Sequence, residues 1–317
     1  MRDWHSLPCV DAGSWYCPCY LAELGQCVNC SLLAGFDHCE CAWCGSCAHA
    51  EFRWRLEKAE NLRQSVRSEL VLRNHVSSNT FIIKIKMPTW FSARLSPPGS
   101  FVFVRPHDHP THFDVPLSPA QVSASDSTVD FAVQVVGPKS RALSLDSCTS
   151  FAVRGAYFGG ILGLNNLKQP AKHVLIVAKG VAQGCAAHIT RYFADRKTPV
   201  TLAVGQGSSD AVFARRWLSD GDARIVMLDK TDDHNSGDIR TLIRSTASDL
   251  IISAGPDIQH RMLQTLANEI APRSRTAYTN NALMCCGEGI CGSCTVSGAA
   301  APARACKVMP PVNILRF

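Results

Sequence analysis

The sequence lacks any long apolar run. No run approaches the ~18 residues that a membrane-spanning helix needs, and no apolar stretch typical of a secretory signal stands at the N-terminus. Basic residues are scattered rather than gathered into a stripe with interleaved aromatics, and the formal net charge is only +6 over 317 residues. We therefore expect no membrane span, no nucleic-acid partner and a cytoplasmic location.

Cysteine, in contrast, is plentiful and unevenly placed. Of the 16 cysteines, nine fall between residues 9 and 47 and five between 285 and 306, while Cys148 and Cys185 lie between the two groups. In a cytosolic chain, clustered cysteines at short spacings favour metal or redox chemistry over disulfide bonds. The length allows two or three hydrophobic cores.

The most specific motif is the C-terminal cysteine loop. It has the pattern Cys-x4-Cys-x2-Cys with a fourth cysteine twelve residues later, which is the ligand spacing of plant-type [2Fe–2S] ferredoxins. Glycines at 287, 289 and 292 allow the positive φ angles of a tightly wound loop. The predicted cluster ligands are Cys286, Cys291, Cys294 and Cys306, and Cys285 is interpreted as a spectator.

Two alternatives remain open for this loop. A four-cysteine zinc site usually shows two Cys-x2-Cys pairs, whereas this loop contains one. The cysteines could also be inert. Ligand type and spacing favour the iron–sulfur interpretation over both.

Residues 1–50 form a second cysteine-rich segment with few long apolar side chains, so it needs a bound metal or a neighbouring surface to fold. Its spacings suit one or two zinc ions or an additional iron–sulfur cluster, and they do not decide between these. A third interpretation is that several thiols are free or packed. The candidate ligands are Cys17, Cys19, Cys27, Cys30, Cys39, Cys41, Cys44 and Cys47. Residues 51–67, rich in helix formers and charge, predict an exposed linker helix from Glu51 to Arg67.

Residues 68–168 show a period of two. Apolar residues alternate from Phe81 to Met87, and short runs recur at Phe101 to Val104, Phe131 to Val136 and Phe151 to Arg154, with turn residues between them. Several short strands separated by turns predict an antiparallel β-barrel or sandwich.

Residues 169–279 follow a different pattern. Short apolar runs alternate with stretches that can be helical, which predicts a parallel α/β sheet covered on both faces. The runs are Val174 to Ala178, Val200 to Val204, Arg224 to Leu228 and Leu250 to Ser253. Ligands of such sheets lie beyond the carboxyl ends of the strands, where this chain has glycine turns at 179–184 and 254–257.

The order of β-barrel, parallel α/β domain and C-terminal cysteine loop resembles the ferredoxin–NADP reductase superfamily, and within it the iron–sulfur electron-transfer subunits of dihydroorotate dehydrogenase. The resemblance covers Ser68 to Phe317. It implies FAD on the barrel (68–168), NAD(P)H on the α/β domain (169–279) and a [2Fe–2S] cluster in residues 280–317.

The resemblance also implies the residues that contact FAD. They lie on a strand, on a turn and in a glycine-containing segment: Pro116, Leu117, Ser118, Val133, Val135, Gly137, Lys139, Ser140 and Gly155. The arginine that the family places before the first of these contacts is replaced here by Asp114 or Val115. Lys139 is the residue that could supply the missing positive charge for the FAD pyrophosphate.

The nicotinamide-binding positions implied by the resemblance are Gly180, Gly184, Gly255 and Pro256. The first turn departs from the family pattern, because Ala182 adds a methyl group and Cys185 replaces a proline. Nicotinamide binding could therefore be weakened, altered in preference or lost.

Together these features predict an oxidoreductase subunit that passes electrons between NAD(P)H, FAD and a [2Fe–2S] cluster, to or from a flavoprotein dehydrogenase or another redox protein. Hydride transfer to flavin requires no catalytic base, and none is nominated. One alternative is an electron carrier that lacks nicotinamide activity. Another is a non-catalytic zinc-binding or redox-sensing protein built on a reductase fold.

Overall fold

The computed structural model describes residues 9–40, 45–228, 236–296, 303–308 and 312. Within these ranges two large sheets follow one another along the chain, preceded by the cysteine-rich segment and followed by a small C-terminal hairpin. None of the helices described is both long and apolar enough to cross a bilayer.

The first sheet is built from the alternating segment. Its seven strands are antiparallel and ordered β4-β3-β7-β1-β2-β6-β5, and β4 also lies against β6, so the sheet curls into a half-barrel. The strands are β1 (Ser65–His75), β2 (Thr80–Lys86), β3 (Phe101–Pro106), β4 (Val115–Leu117), β5 (Gln121–Ser123), β6 (Thr128–Gln134) and β7 (Ser150–Tyr157). Its core contains Phe81, Ile83 and Ile85 of β2, on the alternating face that the sequence predicts.

The other face of β2 is also covered. Ile82 is buried with Ala187, Phe213 and Trp217 of the following domain. Trp217 donates its indole hydrogen to the Asp130 carboxylate of β6 at 2.9 Å. The contact between the two domains thus combines apolar packing with this buried hydrogen bond.

The second sheet is parallel apart from one edge strand. Its order is β11-β10-β9-β12-β13-β8, and β8 runs antiparallel to β13. Its strands are β8 (Ile161–Leu162), β9 (Val174–Lys179), β10 (Val200–Gly205), β11 (Arg224–Met227), β12 (Leu250–Ala254) and β13 (Arg275–Thr279). Central strands β9, β10 and β12 are buried on both faces, which explains their continuous apolar sequences.

The helices in the described part of the chain are mostly short. They are α1 (Tyr20–Glu23), α2 (Ala48–Trp54), α3 (Thr89–Ala93), α4 (Pro138–Ser144), α5 (Leu164–Leu167), α6 (Gln183–Ala194), α7 (Ser236–Thr246) and α8 (Asp257–Ile270). Short 3-10 helices span Leu32–Ala34, Thr111–Phe113, Gly180–Ala182, Gly207–Ser209 and Ala214–Trp217. Strands β14 (Thr295–Val296) and β15 (Ala303–Arg304) pair as the C-terminal hairpin.

The predicted linker helix from Glu51 to Arg67 is wrong in most of its length. Helix α2 ends at Trp54, and Leu56 and Glu57 have φ angles of 52° and 63°, which a helix cannot continue. Residues 65–67 already belong to β1, where Arg67 pairs with Ala152. Most charged side chains of this stretch are exposed, whereas that of Arg63 is buried.

Candidate functional site

The largest cavity described here, about 720 Å³, lies between the half-barrel and the second sheet. We call it the barrel cavity. Strand β4, strand β6 and the start of α4 form its walls, and the segment 279–284 after β13 closes it. Its walls combine apolar side chains such as Leu117 and Val133 with the polar ends of Ser118 and Lys139.

Most of the FAD-contacting residues implied by the resemblance line this cavity: Pro116, Leu117, Ser118, Val133, Gly137, Lys139 and Ser140. Two do not. Val135 packs against the half-barrel core, and the space beside Gly155 is taken by Val102, whose side chain would lie 2.9 Å from an added Cβ. Cys185 reaches the cavity and contacts Ser118, and burial raises the pKa of its thiol to about 12.

Asp114 stands where the resemblance implies an arginine, and it forms two buried ion pairs. Asp114 lines the barrel cavity and accepts hydrogen bonds from Arg105 at 2.8 Å and from Arg154 at 2.9 Å. Both arginines stand on neighbouring strands of the half-barrel, and the single negative charge of Asp114 offsets one of their two positive charges. Lys139, with Nζ 3.4 Å from the Asp114 carbonyl oxygen, brings a further cation to the cavity.

A second cavity of about 460 Å³ adjoins the first. We call it the sheet cavity, because it lies at the carboxyl ends of β9, β10 and β12. Of the nicotinamide-binding positions implied by the resemblance, Gly180, Gly255 and Pro256 line it, whereas Gly184 lines the barrel cavity. The two cavities share the lining residues Gln134, Val181, Ala182 and Asn281.

Gly184 has a packing role that the sequence motif did not reveal. A Cβ there would lie 3.1 Å from the Ala132 side chain and 3.2 Å from that of Ala120, so the glycine lets α6 approach the half-barrel closely. Gly180, at φ +65°, forms the turn after β9. Gly255 lies under the Gln259 side chain, whose Oε1 would be 2.7 Å from an added Cβ.

Sequence reasoning did not single out Asn281 as a site residue. Its Nδ2 donates to the Gly255 carbonyl oxygen and to the Asp257 carboxylate, both at 2.8 Å, and it also lies 3.2 Å from Nε2 of His260. Asn281 therefore fixes the segment after β13 to the turn after β12. The sequence signal was present, since Asn281 stands in the stretch that leads into the cysteine loop.

His260 is buried beneath this turn. Its Nδ1 is 2.8 Å from the Ser253 hydroxyl oxygen and its Nε2 is 3.0 Å from the Thr279 carbonyl oxygen. Burial lowers the pKa of His260 to about 4, against a smaller opposing effect of the Thr279 carbonyl and Asp257. The imidazole is therefore neutral in the folded protein at neutral pH.

This burial predicts a pH-dependent stability. Below about pH 6.5 the unfolded chain protonates His260 while the folded protein does not, so the free energy of unfolding falls as the pH drops from 6.5 to 4. The contribution of this histidine to that fall is about 3 kcal/mol. Denaturant unfolding across this range should show a shallower pH dependence for His260→Gln than for the wild type. The exposed His112, changed to Gln, serves as the control, and an unchanged slope in His260→Gln would refute the assignment.

The C-terminal loop adopts the tight turns that its glycines predict. Gly287, Gly289 and Gly292 have φ angles of 72°, 75° and 77°. Gly287 is pressed against the half-barrel, where an added Cβ would lie 2.5 Å from the Tyr157 ring and 2.9 Å from that of Phe103. The loop could not follow this path with a side chain at 287.

The four predicted ligands of this loop lie in two pairs. The sulfurs of Cys294 and Cys306 are 3.2 Å apart, and their hydrogen bond lowers the pKa of Cys294 to about 6. Burial raises the pKa of Cys291, but its hydrogen bonds with Ser293 and Cys286 outweigh this effect and bring the pKa to about 7. The neighbouring Cys285 is exposed. In the described ranges, no group of three or more His, Cys, Asp or Glu residues is arranged to hold a metal ion.

A backbone amide of this loop also donates a hydrogen bond to one of its cysteine sulfurs. The amide of Glu288 donates to Sγ of Cys286 at 3.3 Å. Arg154 donates to the Cys286 carbonyl oxygen at 2.9 Å, so the same arginine contacts both the loop and Asp114 of the barrel cavity. The loop is thereby fixed relative to that cavity.

A buried charge network joins the loop to the N-terminal segment. Arg63 pairs with Asp11 at 2.6 Å and with Glu288 at 3.2 Å, and Lys307 pairs with the same two carboxylates at 2.7 and 3.0 Å. The Arg63 guanidinium also lies 4.4 Å from the centre of the Tyr157 ring. Two cations and two carboxylates thus compensate one another at the junction of three parts of the chain.

Removing Arg63 should destabilise the protein strongly. Arg63→Met leaves the buried Asp11 and the partly buried Glu288 with fewer partners, and breaking a buried pair in this way costs about 3 kcal/mol. Arg240→Met removes an exposed ion pair with Glu269 and should change stability little. Denaturant unfolding of the two variants measures the difference, and equal losses would contradict the importance assigned to the buried network.

The cysteines of the N-terminal segment fall into different environments. Cys17, Cys19 and Cys27 line a small enclosed cavity together with Cys9, and Cys30 is buried nearby. Cys39 and Cys47 are exposed. Cys41 and Cys44, also predicted as ligands, lie outside the described residues.

No protein-family model matches the chain. A curated relative, the dihydroorotate dehydrogenase B (NAD(+)), electron transfer subunit homolog of Thermotoga maritima, is 25% identical over 243 residues, which cover 73% of this chain and 81% of the relative.

Solved structures with the same fold include an NADH-dependent reduced ferredoxin-NADP oxidoreductase studied for flavin-based electron bifurcation. It is 20% identical with a TM-score of 0.62, and the match covers 75% of this chain and 85% of that one. A ferredoxin reductase of carbazole 1,9a-dioxygenase is 17% identical with a TM-score of 0.53, covering 68% and 69%. The chain therefore has the fold of the ferredoxin–NADP reductase superfamily and is similar to an electron transfer subunit homolog of dihydroorotate dehydrogenase B.

Proposed function

We propose that this protein is an electron-transfer oxidoreductase subunit that uses FAD, a [2Fe–2S] cluster and NAD(P)H and exchanges electrons with a partner dehydrogenase or another redox protein. One observation carries the proposal. Ala282 and Met284 line the barrel cavity and also pack against Cys294 and Cys306 of the cysteine loop. The barrel cavity therefore adjoins the sheet cavity on one side and the cysteine loop on another.

The residues present offer donors of the kinds that the three groups bind. The barrel cavity offers apolar walls for a flavin ring and Lys139 for a pyrophosphate, since a lysine can bind phosphate as a point charge. The sheet cavity lies where open α/β sheets bind their ligands. The cysteine loop presents two pairs of thiols, and a [2Fe–2S] cluster takes two protein ligands on each iron.

When bound, FAD supplies both two-electron and one-electron chemistry, and the cluster supplies one-electron chemistry. The chain's own residues position and shield these groups. Asn281 holds the closing segment against the turn after β12, and Arg154 holds the loop against the half-barrel. The partner is proposed because the Thermotoga maritima relative is described as an electron transfer subunit homolog.

The role of Lys139 can be tested by flavin binding. Lys139→Ala should weaken FAD binding about tenfold, because a charged hydrogen bond to phosphate is lost. Lys58→Ala, at an exposed position in the linker, is the matched control. Flavin fluorescence on titration of the apoprotein measures both affinities, and equal affinities would remove Lys139 from the site.

A second candidate function has a specific observation behind it. Ala182 places a methyl group in the lining shared by both cavities, and Gly184 serves helix packing rather than the sheet cavity. These features favour an electron carrier that binds FAD and the cluster but does not react with nicotinamide.

Anaerobic reduction separates the two functions. The proposed function predicts that NADH or NADPH bleaches the flavin absorbance of the purified protein. Bleaching by a reduced partner protein or by dithionite, but by neither nucleotide, would support the carrier instead. Protein that cannot retain FAD after reconstitution would overturn both.

A further inference from the structure

We propose that a third cavity, formed between α5, α6 and the loop before β3, binds a small organic anion that carries a phosphate or carboxylate group. We call it the helix cavity. Its volume is about 610 Å³, and it shares no lining residue with the barrel cavity or the sheet cavity. The site is independent of the proposed function, because neither FAD, nicotinamide nor the cluster is assigned to it.

One face of α6 supplies the polar wall of the helix cavity. Four residues of this helix and its C-terminal end stand three or four positions apart, and hence on one face, and line the cavity: His188, Arg191, Tyr192 and Asp195. Another side of the helix packs into the core of the second sheet through Ile189 and Phe193. The polar wall is therefore held in place by the fold itself.

His188 brings a buried polar atom to this wall. The residue is 9% exposed, and its Nε2 has no hydrogen-bond partner among the described residues. Buried polar atoms are nearly always paired, so a partner from a bound molecule is expected here. Burial lowers the pKa of His188 to about 4, against an opposing effect of nearby backbone groups at 95–97, so the imidazole is neutral at neutral pH. Depending on its tautomer, it can donate to an anion oxygen or accept from a ligand hydroxyl.

The charges of the helix cavity favour an anion. Lys168, Arg191 and Arg196 line it, against the single carboxylate of Asp195. Within the described ranges, no ion pair joins Arg191 or Lys168 to a carboxylate. A planar guanidinium can bind the oxygens of a phosphate or carboxylate through two parallel hydrogen bonds. Arg191, on the same face as His188, is therefore the expected anion contact.

Stabilisation of the helix end accounts for Arg196 but not for Arg191. Arg196 donates to the Tyr192 carbonyl oxygen at 2.9 Å, and its guanidinium lies 3.6 Å from the centre of the Tyr192 ring. This arrangement places a cation at the C-terminal end of α6, where the helix dipole is negative. The same dipole disfavours a bound anion, but its effect is small beside three full positive charges.

The remaining walls indicate an organic ligand rather than an inorganic ion. Pro98, Phe158 and Leu164 present apolar surface to the cavity. A volume between about 300 and 1,000 Å³, with apolar walls and a few polar groups, is typical of small-molecule sites. An inorganic ion would leave these walls in contact with water, whereas an organic anion would cover them while its charged group lies at Arg191.

The test is isothermal titration calorimetry of the full-length protein, with saturating FAD present, using phenyl phosphate and benzoate as probes. Benzyl alcohol, which has a similar ring and no charge, is the ligand control. We expect at least one of the two anions to bind with a Kd of about 1 mM or below, and benzyl alcohol to bind at least about tenfold more weakly. The two anions distinguish a phosphate ligand from a carboxylate ligand.

Three variants place the binding in the helix cavity. Arg191→Gln should weaken binding of the anion about tenfold, because a charge-assisted hydrogen bond is lost. Asp195→Asn should tighten it about twofold, since a like charge that solvent partly screens is removed. Arg273→Gln changes an exposed arginine outside the lining of this cavity and should leave the Kd unchanged.

Several results would overturn the proposal. Benzyl alcohol binding as tightly as both anions would show that charge is not recognised, and equal Kd values for Arg191→Gln and Arg273→Gln would place the anion elsewhere. Loss of binding in Lys139→Ala instead would place it in the barrel cavity. Should Arg191→Gln fail to fold, Asp195→Asn decides, and unchanged or weaker binding in that variant would refute the site. Failure of the proposed function is read separately, from flavin retention.

Discussion

Replacing Cys294 with serine is expected to abolish the [2Fe–2S] cluster while leaving FAD bound. Cys294 is 2% exposed and its sulfur lies 3.2 Å from that of Cys306, so the change removes one member of a buried pair of ligands. A serine hydroxyl is a poor substitute for a soft thiolate on iron. FAD should stay bound, because the lining of the barrel cavity reaches only as far along the chain as Met284 and does not include Cys294.

The measurement is the rhombic electron paramagnetic resonance (EPR) signal of the dithionite-reduced protein, together with the FAD content. Cys285→Ser provides a matched control, since Cys285 lies in the same loop but is exposed. We expect the signal to disappear in Cys294→Ser and to persist in Cys285→Ser. Persistence in both would show that the ligands have been chosen wrongly.

Adding one methyl group at Gly287 is expected to have the next largest effect. Alanine at a positive φ costs about 1 kcal/mol in backbone strain. At Gly287 its Cβ would also lie 2.5 Å from the Tyr157 ring, and such overpacking costs about 1–3 kcal/mol more. The loop must therefore move away from the half-barrel, and the chain should retain much less of the cluster.

Gly292 is the control for this second change. Its φ of +77° imposes the same strain on alanine, but the nearest atom to an added Cβ is Oγ1 of Thr295 at 3.9 Å. Iron and sulfide content per chain should fall sharply in Gly287→Ala and only slightly in Gly292→Ala. Equal content in the two variants would mean that contact with Tyr157 does not shape the loop.

The pattern of apolar residues predicted the strands whose burial follows a regular pattern along the strand. The alternating residues of β2 and the continuous apolar residues of β9, β10 and β12 lie where their patterns indicate. Strand β13 was missed, because Arg275 to Thr279 carries three polar residues and gains its place by pairing with β12. The burial of Ile82 was missed as well, because it depends on a domain that follows it in the chain.

The parts of the candidate site that depend on short sequence motifs could be predicted, and the parts that depend on residues far apart in the chain could not. The C-terminal cysteine spacing and its glycines are short-range features, and their turns agree with the prediction. The FAD-contacting positions came from resemblance to the superfamily, and most of them line one cavity. The pairing of Arg63 with Asp11 and with Glu288, 52 and 225 residues away along the chain, leaves no sequence pattern to read.

In the proposed function, electrons pass from the sheet cavity through the barrel cavity to the cysteine loop. The direct measurement is anaerobic mixing of NADH or NADPH with the wild type and with Cys294→Ser, followed by absorbance and EPR spectra. We predict that the flavin bleaches in both proteins and that the cluster signal appears in the wild type alone. A wild type whose flavin bleaches while the cluster, reducible by dithionite, stays oxidised would contradict the account.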